Sequence, residues 1–420
     1  MEKRQVRPKL AELRRHYRSP FAGRKALARK CLRETLDFAG QNVPYYRDLF
    51  RTCGFQPESI EKDPRHIERL PYLTKEIIRE QGERLISQPL GGIRHHKCKT
   101  GGSTGLSCFI YYDQPGADHA AACLLYARER IGKKRHHTET HFACRFPDAA
   151  RSFGWPTRED FKCFAMNRRN IFFDRIDKNG LEEIWSQLEG TRPRLVHAHP
   201  STIYALACHI EKTRGTAKAF DVFESSGELL EAHMREKIGR VLQCAVVDRY
   251  GLAEFGVIAY ELHGTGTGLQ VFDSEGWPEH RTSEAGGDEF VFTGFRNLLM
   301  PLIRYATGDK ATVVEREDGF VLEGVTGRIH DIVPINGIPH PTHHIQDMLD
   351  HRVGGIQEFQ IDLRGRKPIL RIIPELSTDP VALTSKIESV WPGAFDIEMG
   401  THQDMVRVGH RAKFRHVVTT

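Results

Sequence analysis

Between about residues 105 and 310, short β-branched and aromatic runs alternate with longer segments of helical periodicity, and no other feature restricts the fold as much. CFIYY (108–112), RLVHAH (194–199), AFDVFES (219–225), CAVVDRYG (244–251) and EFVFTGF (289–295) read as strands, while GLEEIWSQLEG (180–190) and LLEAHMREKIGRVL (229–242) read as amphipathic helices. Strands separated by helices imply an α/β architecture. From about residue 330 the pattern changes. FQIDL, ILRIIP and FDIEMG surround one helical segment, VALTSKIESVW, which predicts a small α+β domain. Ahead of both lies a helical preface, residues 1–90, in which Ala28, Leu32, Leu36 and Ala39 share one helix face. Thr74 is placed to cap a helix that starts just before Ile77 and Ile78.

Composition narrows the function classes. With 39% hydrophobic and 28% charged residues over 420 positions, the chain has enough apolar side chains for two or three cores. No apolar run approaches the roughly 20 residues that cross a bilayer, and MEKRQVRPKLAELRRHY lacks a following apolar region. Neither membrane insertion nor secretion is expected. Nine cysteines without a single CxxC indicate neither a disulfide framework nor a zinc ribbon, so a reducing cytoplasm is expected. The net charge of +6 is dispersed among acidic residues, and the basic stretches at 14–25 and 410–416 lack interleaved aromatics. Nucleic acid is not an expected partner. His136, His137, His141 and Cys144, with Cys163, have a spacing open to a metal, although packed or solvated imidazoles are the commoner outcome.

Thr100-Gly101-Gly102-Ser103-Thr104-Gly105 packs three glycines and three hydroxyls into six residues. Such a loop lets backbone N–H groups and hydroxyls approach a polyphosphate closely, but alone it is equally a surface turn. It is not a GxxxxGK[ST] loop. Four further segments follow in order: Ser225-Ser226-Gly227-Glu228, Asp248-Arg249-Tyr250-Gly251-Leu252-Ala253-Glu254, Pro301 through Asp309 (PLIRYATGD), and Gly327-Arg328-Ile329-His330-Asp331. Near the C-terminus stands Arg411-Ala412-Lys413-Phe414-Arg415.

Together these segments resemble the adenylate-forming superfamily of acyl-CoA synthetases, and most closely the phenylacetate–coenzyme A ligases and their capsule-biosynthesis relatives. YYRDLF…GF…LPYLTKEIIRE is similar to that branch's N-terminal signature, and PRLVHAHPSTIYALA to the strand and turn before its acyl pocket. The resemblance implies an adenylation domain over 1–328 and a small mobile domain over 329–420, hinged at His330 or Asp331. It implies that ATP is held by the TGGSTG loop, by Ser226, Gly227 and Glu228, and by Asp248, Tyr250, Gly251 and Ala253, with Asp309 and Arg328 on the ribose. Tyr250 would stack on adenine, Glu254 would ligate Mg2+, and Lys413 would be the catalytic lysine. His197, His199, Ser225 and Gly251 would shape the substrate pocket.

The expected reaction is activation of a small carboxylic acid, aromatic acids included, as acyl-AMP, followed by transfer to coenzyme A. Transfer to an amine, or activation of nitrite to diazotise an aromatic amine, are the alternatives within enzymes. Leu106, Ala253 and His330 depart from the family pattern and leave a non-catalytic nucleotide-binding protein as a reading of another class. A homodimer is also open.

Overall fold

In this computed structural model the described residues are 4–100, 108–143, 158–173, 176–262, 268–282, 288–326, 332–375, 377–401, 404–408, 413–414 and 416–419. The chain forms two compact units. The first comprises Met1–Gly102, Leu106–Gly132 and Asp248–Gly327, and the second Ser103–Gly105, Lys133–Val247 and Arg328–Thr420.

The preface is helical. Phe21–Asn42 buries Ala28, Leu32, Leu36 and Ala39, as the four-residue spacing predicts. Pro44 starts the next helix, Pro44–Cys53, where its missing N–H costs nothing, and Gly54 ends it at φ +58°. The Thr74 hydroxyl accepts from Ile77 N at 3.5 Å and caps Lys75–Gln81. Strands β1 (His95–Lys99) and β2 (Phe109–Asp113) then form an antiparallel hairpin closed by Thr100 and Cys108. A helix, Gln114–Arg130, follows, with the Asp113 carboxylate accepting from Gly116 N at 2.7 Å.

Strands β3 (Glu139–Ala143), β4 (Arg168–Phe172), β5 (Leu195–Ala198), β6 (Val222–Ser225) and β7 (Ala245–Val247) form a parallel sheet ordered β4-β3-β5-β6-β7. The connecting helices include Lys178–Thr191, Pro200–Arg214 and Ala232–Leu242. They bury Trp185, Leu188, Ile203, Leu206, Ile238 and Val241 in the core that contains Phe223. This part is α/β as the alternation predicts.

The alternation does not continue to residue 310. After Val247 come β8 (Arg249–Leu252), β9 (Gly256–Tyr260), β10 (Leu269–Val271), β11 (Gly276–Thr282), β12 (Asp288–Gly294), β13 (Tyr305–Arg316) and β14 (Gly319–Thr326), all antiparallel, in the order β11-β12-β13-β14-β10-β9-β8. CAVVDRYG, expected as one strand, is therefore two strands in different sheets. The break falls at Asp248, whose N–H donates to Glu261 Oε2 at 2.8 Å and whose carbonyl accepts from Glu261 N at 3.0 Å. Phe290, Phe292 and Tyr305 of this sheet share a core with Leu32, Leu36, Tyr46 and Phe50 of the preface.

The remainder is α+β, as expected. β15 (Ile332–Ile335) pairs with β16 (Ile338–Pro341), and β17 (Ile356–Asp362), β18 (Ile369–Pro374), β19 (Asp396–Met399) and β22 (Val417–Val418) form a sheet ordered β19-β18-β17-β22 beside the helix Pro380–Val390. The short pair β20 (Arg407–Val408) and β21 (Lys413–Phe414) completes it.

Candidate active site

In the first unit the Tyr-Gly-x-x-Glu segment is a tight hairpin. Tyr250 and Gly251 lie on β8, and the chain turns through Ala253, Glu254 and Phe255 into β9 at Gly256, φ +76°. A side chain at position 251 would meet Gly256 O at 2.7 Å, so glycine there is a steric requirement. The turn brings Glu254 inward, to 4% exposure, and its Oε1 accepts from the Tyr305 hydroxyl at 2.5 Å. Tyr250 donates its hydroxyl to Asp309 Oδ2 at 2.7 Å, and its ring meets Phe290 edge-on at 5.7 Å. Burial, and then the charge of Asp309, push the Tyr250 hydroxyl pKa well up.

Asp309 sits on β13 just after Gly308, φ +81°. There the pairing of β12 with β13 shifts register between Glu289 and Val291, and Gly308 N donates to Glu289 Oε1 at 3.0 Å. Such a bulge redirects a side chain that a regular ladder would not place. The two acidic residues singled out from the sequence, Glu254 and Asp309, thus each rest on a tyrosine hydroxyl. Among the described residues, neither Glu254 Oε2 nor Asp309 Oδ1 has a hydrogen-bond partner.

The N-terminal signature supports this arrangement, a role the sequence did not disclose. Tyr46 Oη donates to Pro301 O at 2.9 Å and accepts from Ile303 N at 3.1 Å. Leu73 N donates to Arg304 O and Leu73 O accepts from Ala306 N, each at 3.0 Å. Arg304 itself lies at φ +51°, a left-handed backbone that a residue with a Cβ rarely adopts, held by several bonds at once. Its guanidinium donates to Leu70 O at 2.5 Å, Glu68 O at 3.1 Å and Glu279 Oε1 at 3.1 Å. Burial pushes the Glu279 carboxyl up to about 7 despite Arg304 beside it.

At the start of the TGGSTG stretch, Thr100 is buried and its Oγ1 accepts from Cys108 N at 3.1 Å, so this hydroxyl closes the hairpin. Gly101, Gly102, Ser103, Thr104 and Gly105 lie outside the described residues, as do Arg328, His330, Asp331 and Cys144. Lys413 is on β21 by its backbone.

In the second unit His197, His199, Ser225, Ser226, Gly227 and Glu228 gather at the C-terminal ends of β5 and β6, where ligands bind to open α/β sheets. Ser225 is fully buried and its Oγ has no hydrogen-bond partner among the described residues. His199 is the residue before the helix Pro200–Arg214, and Gly227, at φ +83°, lies so close to its ring that an added Cβ would sit 2.4 Å from Cε1. Glu228 accepts from Ser201 N at 3.1 Å and Ser201 Oγ at 3.0 Å, which stabilises that helix N-terminus. His136 and His137 touch edge to face at 4.4 Å, whereas His141 stacks on His197. Among the described residues no group of three or more histidine, cysteine, aspartate or glutamate side chains is placed to hold a metal, and no helix is long and apolar enough to cross a membrane.

No protein-family model matches the chain. It is 22% identical over 381 residues to the phenylacetate–coenzyme A ligase of Escherichia coli (strain K12), covering 86% of this chain and 84% of that protein. A 2-hydroxyisobutyryl-CoA ligase in an open conformation, in complex with 2-HIB-AMP and CoA, superposes with a TM-score of 0.58 at 18% identity, over 96% of this chain and 92% of that one. The same ligase in its thioesterification state superposes at 0.59 and 20% identity, over 95% and 90%. The chain has the fold of the adenylate-forming acyl-CoA ligases. For that ligase fold, a large N-terminal part and a small α+β C-terminal part are the arrangement expected from the sequence.

Proposed function

We propose that the protein is an ATP-dependent, AMP-forming ligase that activates a carboxylic acid as acyl-AMP and passes the acyl group to coenzyme A. One observation carries this reading. Within the ligase fold, Glu254 and Asp309 are buried carboxylates braced on one side by tyrosine hydroxyls, each with one oxygen left for a ligand. Asp309 Oδ1 is suited to accept from ribose hydroxyls, since a carboxylate takes several bonds at once. Glu254 Oε2 suits a magnesium ion, which takes one or two carboxylates and completes its shell with phosphate oxygens and water. A bound magnesium would neutralise phosphate charge.

In the first step a carboxylate oxygen of the acid attacks the α-phosphorus of ATP and pyrophosphate leaves. In the second the coenzyme A sulfur attacks the acyl carbon and AMP leaves. The chain's part is positioning and charge complementarity. Tyr250 and Asp309 fix the nucleoside, the 100–105 loop and Glu254 fix the phosphates, and Lys413 stabilises the charge that develops during adenylation. Residues 329–420 are read as the mobile domain, with 1–328 as the adenylation domain and the hinge at His330 or Asp331.

Pyrophosphate release with a panel of acids, followed by mass spectrometry of products formed with coenzyme A or with amines, tests the reading. Acid-dependent pyrophosphate and a thioester are expected. An amide would move the acceptor to an amine, and no acid-dependent release would leave a nucleotide-binding protein.

A further inference from the structure

The bulge that carries Asp309 is held from the side. Glu289 on β12 lies opposite Lys310 on β13, and Val291 opposite Ala306, so Thr307, Gly308 and Asp309 together face the single residue Phe290. Extra residues of this kind leave backbone groups that a regular ladder would have paired, and other donors and acceptors must take them. Here side chains do so. The Thr307 hydroxyl donates to Phe290 O at 2.8 Å and accepts from Asp309 N at 3.2 Å, and Glu289 Oε1 accepts from Gly308 N at 3.0 Å. The other oxygen of Glu289 is held in turn. Arg281 lies directly opposite on β11, and its Nε and Nη2 approach Glu289 Oε2 at 2.7 and 2.5 Å. The Arg281 guanidinium lies 4.6 Å from the centre of the Tyr72 ring, which takes the Arg304 guanidinium at 4.2 Å. Tyr72, Arg281, Glu289 and Gly308 thus form a line of contacts that ends beside Asp309.

We propose that Glu289 and Arg281 are positioning residues for the nucleotide: they fix the bulge so that Asp309 Oδ1 meets the ribose hydroxyls. The proposal rests on the ligase reading above. Neither residue needs to touch ATP. Gly308, at φ +81°, has no Cβ to restrict it, so its backbone is the softest point of the bulge, and the bond to Glu289 fixes it there. One carboxylate can do this and hold a guanidinium as well, because its two oxygens accept independently. An amide cannot, since it has one acceptor oxygen and its NH2 would face a donor. Without the bond Asp309 would keep its charge and its strand but sample more orientations, and ordering it on binding would cost affinity. Ribose contacts are the same before and during the attack on phosphorus, so the loss should appear in binding and not in the rate of the chemical step.

The test measures ATP affinity by calorimetry, and kcat and KM by pyrophosphate release with an acid that the wild type activates. Glu289→Gln and Arg281→Ala should each weaken ATP binding and raise its KM by about 3- to 10-fold, the scale of one hydrogen bond, with kcat and the KM for the acid within about twofold. Arg281 is a third exposed, so trimming it opens no gap in a core. Calorimetric affinity is read on the fraction that binds, so partial misfolding changes the stoichiometry and not the constant. The decisive step repeats both changes in an Asp309→Ala background. There neither should weaken ATP binding further, because a residue that acts through Asp309 has nothing left to position. Full additivity, or unchanged ATP affinity in both single variants, would overturn the proposal and leave the ligase reading intact. If Asp309→Ala itself binds ATP as the wild type does, the ribose assignment fails and the proposal with it.

Discussion

The seven-stranded antiparallel sheet and the five-stranded parallel sheet hold their buried polar side chains by different means. On the antiparallel sheet Tyr250, Glu254, Tyr305 and Asp309 form two hydroxyl–carboxylate bonds, 2.7 and 2.5 Å long, inside hairpins and beside a bulge. On the parallel sheet His141, His197 and Glu224 meet only because three strands, separated by whole helices, are in register. In the first region short stretches of chain build the geometry, and in the second the topology builds it. The proposed function puts the nucleotide on the first.

If the antiparallel sheet is the nucleotide side, the largest effect should come from Glu254→Gln, which removes the charge and keeps the shape. Adenylation should fall by about 10²–10³-fold at any magnesium concentration, as read by pyrophosphate release. Full activity would move the metal site elsewhere.

Next is a pH dependence from the Glu279–Arg304 clamp. Glu279 is raised in the folded protein from about 4.5 to about 7. The folded state therefore holds the extra proton, and this group's contribution is fully present below about 4.5 and lost as pH rises through about 7. That loss should amount to about 3 kcal/mol. Urea denaturation from pH 4 to 8 should show the slope in the wild type and not in Glu279→Gln, and equal slopes would refute the clamp's protonation.

Asp309→Ala should weaken ATP and AMP binding by about 1.5–3 kcal/mol, with unchanged calorimetric affinity arguing against the ribose role. Tyr250→Phe keeps the ring and removes only the bond to Asp309, so it should cost about 0.5–1.5 kcal/mol. A loss as large as that of Asp309→Ala would mean that the hydroxyl, rather than the ring, is what the nucleotide needs.

The two sheets were not equally legible in the sequence. Tyr250, Glu254 and Asp309 each stand in a contiguous run that carries the family resemblance, so a local motif marks them. Glu224 carries no such mark, being one acid inside a buried strand, and its pairing with His197 depends on β5–β6 register. His141 stood in a histidine cluster suggestive of a metal, yet its ring packs on His197, 56 positions on. CAVVDRYG reads as one strand because periodicity does not report that the partner strand changes at Asp248. The clamp of Tyr46 and Leu73 on the 301–306 segment was unreadable for the same reason: backbone carbonyls and amides have no sequence signature.

The most direct test of the central claim follows one oxygen atom. If the acid's carboxylate attacks the α-phosphorus, turnover of an acid labelled with 18O in its carboxyl group, with ATP and coenzyme A, must leave one labelled oxygen in AMP and none in pyrophosphate. Label in inorganic phosphate together with ADP, or acid-dependent AMP without label, would contradict an acyl-adenylate route.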